Sequence, residues 1–60
     1  AIKLFSKAIE LDQNYVEAFY NRGLAYQYSG NKDAAVKDYR SALSIFPNYS
    51  LAKDRLKELN

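Results

Sequence analysis

An all-α chain of about four antiparallel helices is predicted by three observations. The first is an echo. Displaced by 34 residues, Ala1 meets Ala35, Lys3 meets Lys37, Ala8 meets Ala42, Asn14 meets Asn48, Tyr15 meets Tyr49 and Ala18 meets Ala52. Between these identities lie the conservative pairs Ile2/Val36, Phe5/Tyr39, Ile9/Leu43 and Leu11/Ile45. A fixed period of this length marks one supersecondary unit stacked on copies of itself, none of which can bury its apolar face alone. The second observation is apolar spacing at helical period, with no stretch that alternates as a strand would. The third is the shortness of the interruptions, which favours antiparallel neighbours.

In the first segment Ile2, Phe5, Ala8 and Ile9 follow i, i+3, i+6, i+7 spacing, with Lys3, Lys7 and Glu10 on the opposite side. Asp12-Gln13-Asn14 breaks the pattern. Asn14 is expected to cap the second helix, with Glu17 three residues on completing a capping-box-like pair. That helix is predicted from about residue 15 to 29, where Gly30-Asn31 gives a C-cap and turn signal. Phe19, Tyr20, Leu24, Ala25, Tyr26 and Tyr28 wrap most of its circumference, so it should be sandwiched between the helices before and after it. A third helix, from about residue 32 to 45, carries Asp33 in its first turn, where the dipole favours a negative charge, four residues before Lys37. Its buried stripe reads Ala35, Val36, Tyr39, Ala42, Leu43 and Phe46. Pro47 ends it, because the residue before proline is pushed out of the helical region. A last helix should run from residue 49 or 50 to about 59, with Ala52, Leu56 and Leu59 on one side and Lys53, Asp54, Lys57 and Glu58 elsewhere.

Composition narrows the functional classes. A chain of 60 residues buries only about 60% of the surface its unfolded form exposes, so its stability alone is marginal. It has neither Cys nor His, which rules out a disulfide framework and leaves only weak all-carboxylate metal sites. No cofactor is implied. The net charge of +2 comes from cations spread along the whole chain, and the densest stretch, residues 53–58, also holds Asp54 and Glu58. Nucleic-acid binding needs positive charge gathered on one face, so no nucleic-acid partner is expected. No apolar run approaches the roughly 20 residues that span a bilayer, and no targeting segment is visible, so no membrane partner is expected either. The chain begins at Ala1 without an initiator Met and reads as a piece of something longer. Catalysis is not expected. Ser41 and Lys37 share i, i+4 spacing, but no pocket is implied; Asp33 and Asp38 do not converge on a helix; and Gly23 and Gly30 form no phosphate loop. The chain is therefore read as a non-enzyme with no small-molecule substrate.

Phe19-x-x-Arg22-Gly23-x-x-Tyr26, then Ala35-x-x-x-Tyr39, then Pro47, resembles the tetratricopeptide repeat signature. The resemblance implies an α-solenoid fragment of helix-turn-helix repeats in three parts. Residues 1–15 would be the second helix of a preceding repeat, 16–49 a complete repeat, and 50–60 a closing helix. Small residues at Gly23 and Ala35 would let two antiparallel helices approach while Phe19, Tyr26 and Tyr39 fill the space around them. Some residues depart from the pattern. Arg22 stands where the family usually has Leu, Phe19 where it has Trp, and Gln13 where a turn Pro is expected. In the last helix Lys53 and Lys57 take the places of Phe19 and Gly23, which reads as a polar cap ending the array.

The resemblance further implies a binding function: a concave groove, lined by the first helix of each repeat, that holds a peptide or helix of a partner protein. Carried onto this chain, the groove residues are Glu17, Tyr20, Asn21, Leu24, Gln27 and Tyr28, joined by Leu51, Asp54 and Arg55 of the last helix. Tyr20, Leu24 and Tyr28 make an i, i+4, i+8 stripe, and Tyr and Arg are common interface anchors. Some members of the family clamp the C-terminal carboxylates of heat-shock chaperones with Lys, Asn and Arg from successive groove helices. Asn21 and Arg55 match two of these, whereas Leu51 stands where a clamp Lys is expected. The other expected surface is on the first helix. Ile2, Phe5 and Ile9 should lie uncovered where a preceding helix would pack, and are read as a self-association face that makes the chain a possible homo-oligomer.

Overall fold

The computed structural model describes residues 2–59. Four helices follow one another: α1 (Ile2–Leu11), α2 (Val16–Tyr28), α3 (Lys32–Ile45) and α4 (Ser50–Leu59). There is no strand among the described residues. Helix α2 packs on α1 and, more extensively, on α3, while α4 packs on α3. Among the described residues, no helix is long and apolar enough to cross a membrane.

The connections explain where each helix stops. Before α2, the backbone N–H of Asn14 donates to Asp12 Oδ1 at 3.0 Å and that of Tyr15 to the Asp12 carbonyl at 3.1 Å. Asp12 thus folds the chain into a local turn, and Tyr15 becomes the N-cap with no side-chain cap hydrogen bond. The capping box expected of Asn14 and Glu17 does not form. Glu17 still occupies the first turn of α2, where its charge suits the dipole.

After α2, Gly30 takes φ +90°, a conformation that costs a side chain dearly. The N–H of Asn31 then donates to the Tyr26 carbonyl at 2.8 Å and that of Gly30 to the Gln27 carbonyl at 3.2 Å. These bonds satisfy the last carbonyls of α2 in a Schellman arrangement. Asn31 in turn caps α3, its Oδ1 accepting from the Ala34 N–H at 3.3 Å. One short link therefore closes one helix and opens the next. Phe46 ends α3 in an extended conformation, φ −134° and ψ 92°, as the following proline requires. That conformation swings its ring away from the helix stripe. Phe46, expected in the core, is 50% exposed and lies 6.0 Å from the Tyr49 ring, centroid to centroid.

The buried centre consists of Ala35, Tyr39, Ala42 and Ala52, with Phe19, Tyr20, Leu24, Tyr26, Leu43, Tyr49 and Leu56 among the side chains packed around it. Val36, also read as core, is only half-buried, on the outer side of α3. Tyr39 is the one large side chain fully buried among the described residues. It fits because Gly23 faces it: a Cβ built at Gly23 would come 2.7 Å from Tyr39 Cε1 and 2.8 Å from Cδ1. The small residue on α2 and the ring on α3 set the distance between the two helices. The i, i+4 pair expected of Asp33 and Lys37 is not among the ion pairs of the described residues; both side chains are exposed, where such a pair gains little.

Candidate functional site

Side chains of α2 meet aromatic rings of α3 and of the link before α4. Tyr20 is the joint. Its ring lies 5.9 Å from Tyr39 and 5.6 Å from Tyr49, the latter edge-on, so it is half-buried by aromatic packing. The Arg55 guanidinium of α4 is held above its usual range, first by hydrogen bonding with the Tyr20 side chain and then by the charge of Glu58, which outweigh its desolvation. Its ion-pair contact is with Glu58 Oε2 at 3.1 Å. Burial pushes the Tyr49 phenol up, with the charge of Glu17 acting in the same direction.

The other residues expected to line a groove differ in what they offer. Asn21 and Leu24 are half-buried, and Glu17, Leu51 and Asp54 are exposed. Tyr28 is 75% exposed and ends the Tyr20, Leu24, Tyr28 stripe in solvent. Gln27 is engaged from behind: its Oε1 accepts from the Tyr39 hydroxyl at 2.7 Å. The carbonyl of Gln27 thus serves the core, and its amide nitrogen is the end left to donate outward. Burial also pushes the Tyr39 phenol up to about 12.

On α1 the exposed residues are not those expected. Ile2, Phe5 and Ile9 are half-buried, because α1 lies against α2. The open apolar side chains are Leu4, 75% exposed, and Leu11, 80% exposed. The outer side of α3 carries an open concavity lined by Asp33, Val36, Lys37, Arg40, Ser41 and Ser44. Ser41 Oγ there donates to the Lys37 carbonyl at 3.0 Å, so the hydroxyl serves its own helix rather than the Lys37 ammonium.

The feature that sequence reasoning missed is an ion pair between the two central helices. Arg22 Nε donates to Asp38 Oδ2 and Arg22 Nη2 to Asp38 Oδ1, both at 2.7 Å. Arg22 Nη1 also donates to Ser6 Oγ of α1 at 3.2 Å. The Asp38 side chain is 4% exposed and that of Arg22 21%. The guanidinium carbon lies 5.7 Å from the centroid of the Phe19 ring and 5.9 Å from that of Tyr26. This bidentate, ring-flanked setting is the kind that only arginine fits, and the bond to Asp38 raises the Arg22 pKa against the cost of burial. A signal was present in the sequence: one cation and one anion, each at a position where its helix is otherwise apolar.

Comparison with known proteins identifies the architecture. The family model described as tetratricopeptide repeat matches residues 16–49, and one described as TPR repeat matches residues 1–30. Small glutamine-rich tetratricopeptide repeat-containing protein 2 of Mycosarcoma maydis is 39% identical over 56 residues, covering 93% of this chain and 16% of the relative. Human serine/threonine-protein phosphatase 5 is 33% identical over 55 residues, covering 92% of this chain and 11% of the relative. Mouse sperm-associated antigen 1 is 36% identical over 59 residues, covering 98% of this chain and 6% of the relative. The chain thus spans a small part of each of these relatives. No solved structure matches it. The matched repeat, the four helices and the close Gly23–Tyr39 contact agree: the chain belongs to the tetratricopeptide repeat family.

Proposed function

We propose that the chain is a non-enzymatic protein-interaction module whose α2–α4 face takes a peptide or helix of a partner protein. Tetratricopeptide repeats serve as protein-interaction modules, and the finer reading rests on one observation. Tyr20 of α2 packs edge-on against Tyr49, the residue before α4, at 5.6 Å, while Arg55 of α4 is half-buried and Tyr28 and Leu51 are exposed. Aromatic, aliphatic and cationic groups would then share one face, the mixture that anchors protein interfaces. The test is selection of peptides from a random library on the 60-residue chain. Tyr28→Ala and Arg55→Ala should each weaken the selected peptides about tenfold or more, while Lys37→Ala on the outer side of α3 leaves them unchanged. Peptides indifferent to both groove changes would remove this face from the reading.

The second reading is a self-assembly unit, and the open side chains of α1 favour it. Leu4 and Leu11 expose most of their surface beside Ile2, Phe5 and Ile9. At about 25 cal/mol per Å², covering them with a second copy offsets much of the marginal stability of so small a domain. Sedimentation equilibrium distinguishes the two: a single folded monomer at high micromolar concentration removes self-assembly.

A further inference from the structure

The same displacement that aligns the repeats carries the Arg22–Asp38 pair onto the flanking helices. Asp38 of α3 falls on Leu4 of α1, and Arg22 of α2 falls on Leu56 of α4. Ser6, the other acceptor of Arg22, falls on Arg40 of α3. The positions that are ionic or polar around Arg22 are thus aliphatic, or carry the same charge as Arg22, in the equivalent helix. Elsewhere α1 and α3 are near-duplicates, with Phe5/Tyr39, Ala8/Ala42 and Ile9/Leu43 on the packing stripe. Apolar packing alone therefore discriminates poorly between α3 and the α1 of another copy as the partner of α2.

We propose that Arg22 is a pairing key, which directs α2 to α3 on one side and to α1 on the other and rejects the exchanged arrangement. Were α1 of a second copy to take the place of α3, Leu4 would meet the guanidinium and leave a desolvated cation without an acceptor. Were an α3 to take the place of α1, Arg40 would stand where Ser6 accepts from Arg22, and like charges would face each other. Replacing a buried ion pair by apolar residues of similar size is often neutral or stabilising. What this pair adds is a choice of partner, as a single polar residue does when it fixes register in a coiled coil. The geometry suits that role, since the Nε–Nη2 edge of the guanidinium donates to both carboxylate oxygens of Asp38 at 2.7 Å while Nη1 donates to Ser6 Oγ.

The experiment moves the key within the full 60-residue chain. Asp38→Leu should lower the thermal midpoint by about 10 °C or more. Adding Leu4→Asp to it offers Arg22 a carboxylate on another copy, so the midpoint should recover as protein concentration rises, more steeply than in Asp38→Leu or wild type. The doubly apolar Arg22→Leu/Asp38→Leu chain should keep its midpoint but lose discrimination. Native mass spectrometry of mixed isotopically labelled copies should then show roughly tenfold more exchanged dimer than wild type. This last variant decides the matter even where Asp38→Leu alone fails to fold. Exchange no greater than wild type in the doubly apolar chain would overturn the proposal, as would a Leu4→Asp/Asp38→Leu chain whose midpoint ignores concentration.

Discussion

Helices α1 and α3 carry nearly the same apolar stripe, yet α3 buries Ala35, Asp38, Tyr39 and Ala42 whereas α1 buries none of its residues. The difference lies in what faces them. Among the described residues α3 packs on both α2 and α4, while α1 packs chiefly on α2. An amphipathic pattern determines which face a helix can bury, and a partner on that face determines whether it does. The core of this molecule is therefore a property of the α2–α3 pair and its α4 cover.

The contrast can be broken hardest at Gly23. Gly23→Leu places atoms inside the Tyr39 contact and should destabilise by about 2–3 kcal/mol in a denaturant titration; an unchanged midpoint would remove Gly23 from the close approach. Alkaline titration attacks the same contact from the other side. Tyr39 is pushed up to about 12 by burial, against about 10 in the unfolded chain. Its contribution is complete below pH 10 and is lost as the pH rises toward 12, a change on the order of 2 kcal/mol. Tyr39→Phe should flatten that part of the stability profile, and an unaltered profile would assign the alkaline loss to another group. Gly30→Ala tests the link between the paired helices. With φ at +90° it should cost about 1 kcal/mol, and a neutral result would mean that the turn relaxes. Leu4→Lys should change monomer stability by no more than about 0.5 kcal/mol, because that side chain is 75% exposed. A large loss by thermal melting would show α1 to be covered in solution.

The parts of the fold legible in the sequence were those dictated locally. Helix α3 spans Lys32–Ile45 because Asn31 opens it and Pro47 closes it, and both signals lie within a few residues of the boundaries they set. Gly30 was equally readable, since few other residues accept its backbone. The start of α2 was misread because two turn chemistries compete within Asp12-Gln13-Asn14, and Asp12 takes the backbone that Asn14 was expected to organise. Phe46 was misplaced for a related reason: helical period continues through it, but the proline constraint acts one residue before the ring leaves the helix. The Arg22–Asp38 pair was out of reach of periodicity, which treats each helix by itself and has no means of matching a cation on one with an anion on the next. The candidate groove shows the same limit. The family resemblance implied Gln27 as a groove residue of α2, but only the packing of Tyr39 shows that its side-chain carbonyl is already engaged.

Tyr39 fills the gap left by Gly23 and has no exposed surface, which gives the molecule an internal clock. A half-turn of that ring about its own axis sweeps through space occupied by α2, so it can happen only when the two central helices part for an instant. Its flip rate, read from the line shapes of the ring protons, measures how often the pair opens. Tyr28, whose ring stands in solvent, flips freely in the same spectrum and supplies the unhindered reference.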